Sequence, residues 1–213
     1  MKGELVIDTR FIDELASASP TPGGGGAAAY GGALAAALAS MVGNLTVGKK
    51  RYAAVEDDVR ASLARLEELR ARLIELVEGD ARAFEPLAAA YRMPKETPEE
   101  RAEKERVMQE ALVGACEVPL DIMRACSAVI DECDLLAHEG SRMAVSDAGV
   151  GVAFARAALL GASLNVYINV ESIADAERAA AYRSAADELI SRGVARADAV
   201  YAYVAAELGA ATA

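Results

Sequence analysis

The first half of the chain changes from an uncharged pattern to a strongly amphipathic one, and both patterns predict helices. No charged residue occurs between Glu14 and Lys49. Within this stretch, an Ala/Gly-rich run follows "SASPTPGGGG" and predicts a helix over residues 24–46 that is buried on all sides. Residues 50–90 have apolar side chains at helical spacing, so a long helix with one apolar stripe is expected there.

The middle of the chain carries helix-start and helix-stop signals. Thr97, with Pro98 at the first helical position and Glu100 three residues on, forms a capping box. This motif predicts a helix that runs to about Cys116. Pro119 is expected to end or kink it, and a further helix is expected to about residue 137.

The remaining segments also follow helical patterns. A short first helix is expected after a cap at Asp8 or Thr9, and another helix is expected from Ser146 or Asp147 to about residue 170. Two last helices are expected over residues 174–192 and 194–208. Because no strand series, linker or repeat is visible, residues 1–213 are expected to form one all-α domain, a bundle of about seven or eight helices.

Composition and charge narrow the function classes. Hydrophobic residues make up 54% of the chain but aromatic residues only 5%, and Trp is absent. With a net charge of −11, the protein lacks the basic surface of a nucleic-acid-binding protein. An anionic membrane would repel it. The uncharged stretch is long enough to span a bilayer but too weakly apolar. We therefore expect neither nucleic acid nor a membrane as a partner.

The cysteines and the single histidine argue against a metal centre or a disulfide framework. Cys116, Cys126 and Cys133 are odd in number and lack CxxC spacing. They are typical of reduced, buried thiols in a cytosolic protein. Acidic residues occur early and no cationic start precedes an apolar run, so no signal peptide is expected. His138 is the only histidine, and we interpret it as a surface residue.

The glycine run suggests three structures: a phosphate loop, a flexible linker or a close helix contact. "GNLTVGKK" nearly matches a P-loop, but Lys50 stands where a Ser or Thr must bind magnesium. Gly23-x-Gly25-x-x-Ala28 matches a dinucleotide fingerprint loosely and lacks the strand that should precede it. The long uncharged helix behind the glycines also argues against a linker, which leaves a helix start whose backbone a ligand or a second subunit can approach.

Asp80 breaks the apolar stripe of the long helix. It lies four residues after Leu76 and four before Phe84, so the three share one helix face. Burial would raise the pKa of this carboxyl and make it a general acid near neutral pH. The structural alternatives are pairing with a buried Arg, capping of a neighbouring helix, or a local helix break at Gly79.

Two further features are candidates for ligand binding. Asn165 and Asn169 lie four residues apart amid apolar neighbours, and buried carboxamides need partners. They suit the edge of a polar ligand such as a pterin ring, or a helix-to-helix hydrogen bond. "GKKRY" gathers three cations in an acidic protein, which suits carboxylates or phosphates or the negative end of a helix.

These stretches together resemble the cyclodeaminase/cyclohydrolase family. The resemblance runs through "FIDELASASPTPGGGGAAAYGGALAAALASMVGNLTVGKKRY", "LVEGDARAF", "YRMPKETPEE" and "SDAGVGVAFARAALLGASLNVYINV". It covers nearly the whole chain, and its Pro-Gly-rich start is the most specific part. The resemblance implies an all-α enzyme that forms a homodimer and acts on tetrahydrofolate derivatives, with no metal or nucleotide cofactor. A cytoplasmic location is expected.

The resemblance also implies roles for individual residues. In that family the aspartate of the "GDARAF" segment is the proton donor, which corresponds to Asp80. Substrate binding is implied for residues in the other matching stretches: Gly23, Gly24, Gly25, Asn44, Lys49, Lys50, Ser146, Asp147, Asn165 and Asn169. The family often has Ser where Gly26 stands, so any role of that hydroxyl is absent here.

Two reactions fit the resemblance. The favoured one is cyclodeamination of 5-formimidoyltetrahydrofolate to 5,10-methenyltetrahydrofolate and ammonia. The alternative is hydrolysis of 5,10-methenyltetrahydrofolate to 10-formyltetrahydrofolate. A non-catalytic helical scaffold is the third hypothesis, and a carboxylate on an apolar stripe argues against it, because a scaffold gains little stability from one.

Overall fold

A computed structural model describes residues 8–209, and within this range the chain folds into helices without a strand. The six α-helices are α1 (Arg10–Leu15), α2 (Gly24–Asn44), α3 (Glu56–Tyr91), α4 (Pro98–Glu139), α5 (Val145–Val170) and α6 (Ala176–Glu207). Short 3-10 turns over Lys50–Tyr52 and Arg142–Ala144 precede α3 and α5. The all-α prediction is confirmed, with fewer helices than expected. The ends of the predicted 1–213 domain lie outside the described residues.

Two predicted helix breaks are wrong, and together they explain the lower count. Pro119 lies inside α4 and is buried there. Packing of this long helix outweighs the one backbone hydrogen bond that proline removes. Gly193 lies inside α6, where an added Cβ would come within 2.5 Å of Leu159 Cδ2. The glycine therefore serves close contact between α6 and α5 and does not end a helix.

The predicted helix starts have mixed outcomes. The capping box of α4 is confirmed: Thr97 Oγ1 accepts from the N–H of Glu100 at 3.1 Å, and the Glu100 side chain accepts from the N–H of Thr97. The predicted cap of α5 by Ser146 or Asp147 is wrong, because the helix begins at Val145 without a side-chain cap. The chain enters α5 through the 3-10 turn instead.

The core combines small side chains on α2 and α5, which run antiparallel, with larger ones on α3 and α4 such as Leu66 and Met123. Gly24 lies beside Asn165 at one end of the pair, and Gly151 lies against the backbone oxygen of Ala35 further along. Alanines such as Ala29 and Ala155 are fully buried, so the two helix backbones approach closely. All three cysteines are free and buried, as predicted. This pairing brings the first turn of α2 to the last turns of α5.

Helices α2 and α5 are also long and apolar enough to cross a membrane by length and composition alone, which a core helix achieves equally well. Within the most apolar window, 61% of the α2 segment and 44% of the α5 segment are buried in the protein. Their outward sides form one surface, which we call the apolar face. Its large side chains are at least 40% exposed: Tyr30, Leu34, Met41 and Leu45 on α2, and Val150, Phe154, Leu164 and Ile168 on α5.

Candidate active site

A cavity of about 330 Å³ lies where the start of α2 meets the middle of α3 and the end of α5. Residues of α4 close its floor, and Pro20 and Thr21, from the segment before α2, form part of its rim. The volume falls at the lower end of the range of small-molecule sites. Apolar side chains and several polar groups share its lining, and polar groups that converge on an apolar surface are typical of a ligand pocket.

Among residues 8–209, Asp80 is the one charged residue that lines this cavity. Helix α3 continues through Gly79 without a break, so Asp80 stays on the apolar stripe as predicted. Burial raises the pKa of the carboxyl above its ordinary value, and a hydrogen bond from the N–H of Gly26 partly opposes the shift. The predicted direction of the pKa shift is therefore confirmed.

One of the structural alternatives for Asp80, capping of a neighbouring helix, is also observed. Its Oδ2 accepts from the N–H of Gly26 at 2.9 Å, so the carboxyl caps the first turn of α2. Among the described residues no Arg or Lys pairs with it, and no hydrogen bond reaches Oδ1. The capping bond fixes one oxygen and leaves the other available to a ligand.

The glycine run opens α2 directly against this carboxyl. A Cβ at Gly25 would lie 2.1 Å from Asp80 Oδ1 and 2.4 Å from its Cγ, so no side chain fits at this position. Gly23 and Gly24 line the cavity, and the N–H groups of the first turn have no partner within the helix. The glycines therefore allow Asp80 to approach a positive helix end.

The two asparagines lie on the wall of the cavity that α5 forms. Asn165 Nδ2 donates to the backbone oxygen of Gly161 at 3.2 Å, and Asn169 Nδ2 donates to that of Ala115 at 2.7 Å. Asn169 makes the predicted helix-to-helix hydrogen bond and also lines the cavity, and its role in ligand binding stays a prediction. Each Nδ2 uses one of its two hydrogens in these bonds, so the carboxamide oxygen and the second hydrogen are left for a ligand.

Sequence reasoning missed the aromatic part of the site. Tyr91 ends α3 and lines the cavity together with Phe84, one heptad earlier on the same helix. Only the position of Tyr91 at the end of the apolar stripe, directly before the "RMPKETP" loop, could have indicated it. These rings offer a flat apolar surface to a heteroaromatic ligand.

The other predicted binding residues do not lie at this cavity. Asn44, Lys49 and Lys50 follow the far end of α2, and Ser146 and Asp147 lie in the first turn of α5, at the same end. Helix α2 has 21 residues and is therefore about 30 Å long. The structure thus divides the predicted residues into two groups at opposite ends of the α2–α5 pair.

A second, more open depression of about 530 Å³ is lined by acidic residues, two arginines and His138. Both of its arginines are already paired with carboxylates: Arg65 with Glu132, and Arg196 with Asp131 and Asp134. His138 is half-exposed and stacks on Tyr203, in keeping with its interpretation as a surface residue. Because these groups satisfy each other, the cavity at Asp80 is the better candidate for an active site.

Comparison with known proteins gives a consistent result. Residues 8–188 match the family profile described as formiminotransferase-cyclodeaminase. The chain is 45% identical over 175 residues to a methenyltetrahydrofolate cyclohydrolase of Methylorubrum extorquens, covering 82% of this chain and 84% of the relative. It is 37% identical over 165 residues to the formimidoyltransferase-cyclodeaminase of Mus musculus, covering 78% of this chain but 30% of that longer relative.

A solved structure agrees in fold over nearly the whole length. The crystal structure of formiminotetrahydrofolate cyclodeaminase from Thermotoga maritima superposes with a TM-score of 0.78 and 31% sequence identity. The match covers 96% of each chain. The similarity therefore includes all the helices that build the cavity.

Proposed function

Because the chain belongs to the formiminotransferase-cyclodeaminase family, we propose that it is an enzyme of folate one-carbon metabolism with its active site at Asp80. The observation that carries the proposal is a carboxyl with a raised pKa, fixed by one hydrogen bond, in a cavity whose lining within residues 8–209 has no other charge. A raised pKa favours the protonated form of the carboxyl, which is the form that donates a proton. The names of the relatives supply the substrate class.

The first candidate reaction is cyclodeamination. N10 of 5-formimidoyltetrahydrofolate attacks the formimidoyl carbon, and the N10 proton passes to the imine nitrogen. The resulting tetrahedral carbon is bonded to N5, N10 and an amino group. The departing nitrogen must be protonated, because amide ion is a very poor leaving group, and Asp80 donates this proton. Ammonia then leaves and 5,10-methenyltetrahydrofolate remains. Holding N10 against the carbon is the second contribution of the site, because it turns ring closure into an oriented step.

The second candidate reaction is cyclohydrolysis. Water adds to the cationic methenyl carbon and loses one proton, which leaves a hydroxyl on that carbon. The bond from the carbon to N5 then breaks as N5 gains a proton, and the hydroxyl releases its proton to solvent as the formyl C=O forms. The product is 10-formyltetrahydrofolate. Asp80 moves the proton from the attacking water to N5, so the same carboxyl serves both reactions through a tetrahedral centre at one carbon.

The cavity walls suit the pterin part of such a substrate. The carboxamide oxygens of Asn165 and Asn169 accept from pterin N–H groups, which are donors along one ring edge. Phe84 and Tyr91 provide apolar surface for the ring system. This arrangement would place the reacting carbon beside Asp80.

The names of the similar proteins point to both reactions. The solved structure with 31% identity carries the cyclodeaminase name, whereas the relative with 45% identity carries the cyclohydrolase name. Offering the purified protein both folates and following methenyltetrahydrofolate absorbance separates them. Methenyl formation from the formimidoyl compound supports deamination. Methenyl loss faster than in buffer, without the first activity, supports hydrolysis. If neither change is observed, the scaffold hypothesis is favoured.

We further propose that the protein is a homodimer in the cytoplasm. The apolar face supports the first part, because exposed apolar surface of this extent marks an interaction site. The three free thiols suit a reducing compartment. The proposed chemistry uses a carboxyl and backbone groups, and no three His, Cys, Asp or Glu side chains among residues 8–209 gather to hold a metal ion.

A further inference from the structure

We propose that Pro119 is a positioning residue of the candidate active site. The proline frees the backbone oxygen of Ala115 within α4, and that oxygen fixes the carboxamide of Asn169 with its Oδ1 left for the ligand. The inference rests on the proposed function, because it names the group that decides which ligand edge this wall accepts. That edge is one that carries N–H donors.

The freed oxygen follows from the place of Pro119 in its helix. In an α-helix the N–H of each residue donates to the backbone oxygen four residues earlier, so residue 119 would serve Ala115. Proline has no N–H, and its ring crowds the carbonyl group four residues before it. Helix α4 nevertheless continues through Pro119. The Ala115 oxygen therefore lies inside a helix that does not supply its regular donor.

Asn169 supplies the missing donor. Its Nδ2 lies 2.7 Å from the Ala115 oxygen, and this bond joins the last turn of α5 to α4. Asn165 offers a comparison one turn earlier, because its Nδ2 lies 3.2 Å from the Gly161 oxygen, to which the α5 backbone already donates. The shorter bond of Asn169 agrees with an acceptor that has no competing donor in its own helix.

The acceptor decides which way the carboxamide faces. Turning a carboxamide by about 180° exchanges its oxygen and its nitrogen, and the two orientations differ little in shape. A backbone oxygen can only accept, so a contact of 2.7 Å requires the nitrogen of Asn169 on that side. Oδ1 then lies on the side of the group away from the Ala115 oxygen. The freed oxygen thus selects one of the two orientations.

The three residues meet at the cavity that holds Asp80. Ala115, Pro119 and Asn169 all belong to its lining. An acceptor fixed on this wall binds an N–H donor of the ligand, and the edge of a pterin ring carries such donors. A ligand edge that presents only acceptors would set oxygen against oxygen at Asn169, and the site would discriminate against it.

A second proline inside a helix shows why a side chain is needed here. Pro86 lies within α3 and deprives the Arg82 oxygen of its helix donor in the same way. Both of these residues are exposed, so water can replace the missing donor. Pro119 and Ala115 are buried, and a buried carbonyl needs a partner from the protein. Asn169 is that partner.

A double-mutant cycle tests whether Pro119 acts through Asn169. Pro119→Ala gives residue 119 an N–H, so the Ala115 oxygen turns back to its own helix and its hold on Asn169 loosens. We expect KM for the folate that the wild type turns over to rise about fivefold, which is the loss of one ordinary hydrogen bond. The kcat should change little, because the contacts of Asp80 are untouched. In an Asn169→Ala background, Pro119→Ala should cause no further rise.

Two outcomes of the cycle overturn the inference. If Pro119→Ala raises KM by the same factor with and without Asn169, the proline affects the cavity by packing alone. An unchanged KM in Pro119→Ala has the same meaning. The matched control is Pro86→Ala, which removes an exposed helix proline outside the described lining of the cavity and should leave KM unchanged. Thermal unfolding followed by circular dichroism checks that each variant is folded.

A measurement without substrate separates this inference from the proposed function. The Asn169 carboxamide gives a pair of ¹H–¹⁵N NMR signals, which are assigned by their loss in Asn169→Ala. In the wild type, the hydrogen bonded to Ala115 should exchange slowly with water. In Pro119→Ala it should exchange faster.

Rapid exchange in the wild type, or exchange that Pro119→Ala leaves unchanged, overturns the inference even if a folate is turned over. Absence of wild-type turnover on either folate overturns the proposed function. The NMR signals then still decide whether Pro119 orients Asn169.

Discussion

At the scale of single residues, the site depends on opposing influences at Asp80. Burial against the apolar stripe favours the protonated carboxyl, while the N–H of Gly26 and the start of α2 favour the charged form. Burial is the larger influence, so the pKa is raised overall. A carboxyl in this balance both releases and recovers a proton without a large barrier.

Replacing Asp80 by Asn should abolish most of the turnover and keep the fold. Asn retains the volume and accepts the same hydrogen bond from Gly26, but it cannot donate an acidic proton. We expect kcat to fall by about 10²- to 10⁴-fold, measured by methenyltetrahydrofolate absorbance. The matched control is Asp57→Asn on the same helix, an exposed Asp without an ion pair within residues 8–209. Full turnover by Asp80→Asn would show that another group transfers the proton.

The difference in stability between the wild type and Asp80→Asn should depend on pH. Because the folded-state pKa of Asp80 is raised above 3.8, the carboxyl contributes most to stability below that pH. The contribution is lost as the pH rises through the raised pKa. The free energy of unfolding of the wild type, minus that of Asp80→Asn, should therefore decrease with rising pH in denaturant titrations. A difference that increases with pH would mean that the hydrogen bond from Gly26 dominates.

A methyl group at position 25 should displace the carboxyl. The added Cβ of Gly25→Ala would lie 2.1 Å from Asp80 Oδ1, so Asp80 or the first turn of α2 must move. We expect kcat to fall at least tenfold, because small displacements of a catalytic group are costly. Gly114→Ala, where an added Cβ meets nothing within 4 Å, should keep its activity and gain up to about 1 kcal/mol of stability.

At the scale of helices, the sequence identifies a helix end correctly where local hydrogen bonds fix that end, as at the start of α4. Thr97→Ala removes the capping box of α4 and should lower the free energy of unfolding by about 1 kcal/mol. Denaturant unfolding measures this, and Thr97→Ser should restore most of the loss. Unchanged stability in Thr97→Ala would show that packing alone fixes the start of α4.

Structural features that depend on neighbours in sequence could be predicted, whereas those that depend on long-range packing could not. The periodicity of α3 and the capping box of α4 were predicted because they depend on neighbours in sequence. The continuity of α4 through Pro119 and of α6 through Gly193 was not predicted, because long-range packing overrides local breaking tendencies there. Asp80 was identified by its break in the stripe, whereas its contact with Gly26 depends on two helices meeting and has no local signal.

At the scale of the whole molecule, the apolar face is the surface through which we propose that two copies pair. Leu34→Glu/Phe154→Glu places a charge on each of its two helices, and these side chains are 40% and 43% exposed in the monomer. We expect the dimer to dissociate with little loss of monomer stability, as measured by sedimentation. Ile74→Glu is the control, since Ile74 is 54% exposed but lies on α3 outside the face. A variant at Leu34 and Phe154 that remains dimeric would place the interface elsewhere.

The contact between Gly25 and Asp80 also has an evolutionary consequence. The two positions cannot drift independently, because a side chain at position 25 occupies the space of the carboxyl. In a lineage that no longer needs the acid, loss of Asp80 would release position 25 to accept alanine or serine. The residues at these two positions, compared across proteins of this fold, should therefore separate those that retain the proton-transfer reaction from those that keep only the helical fold.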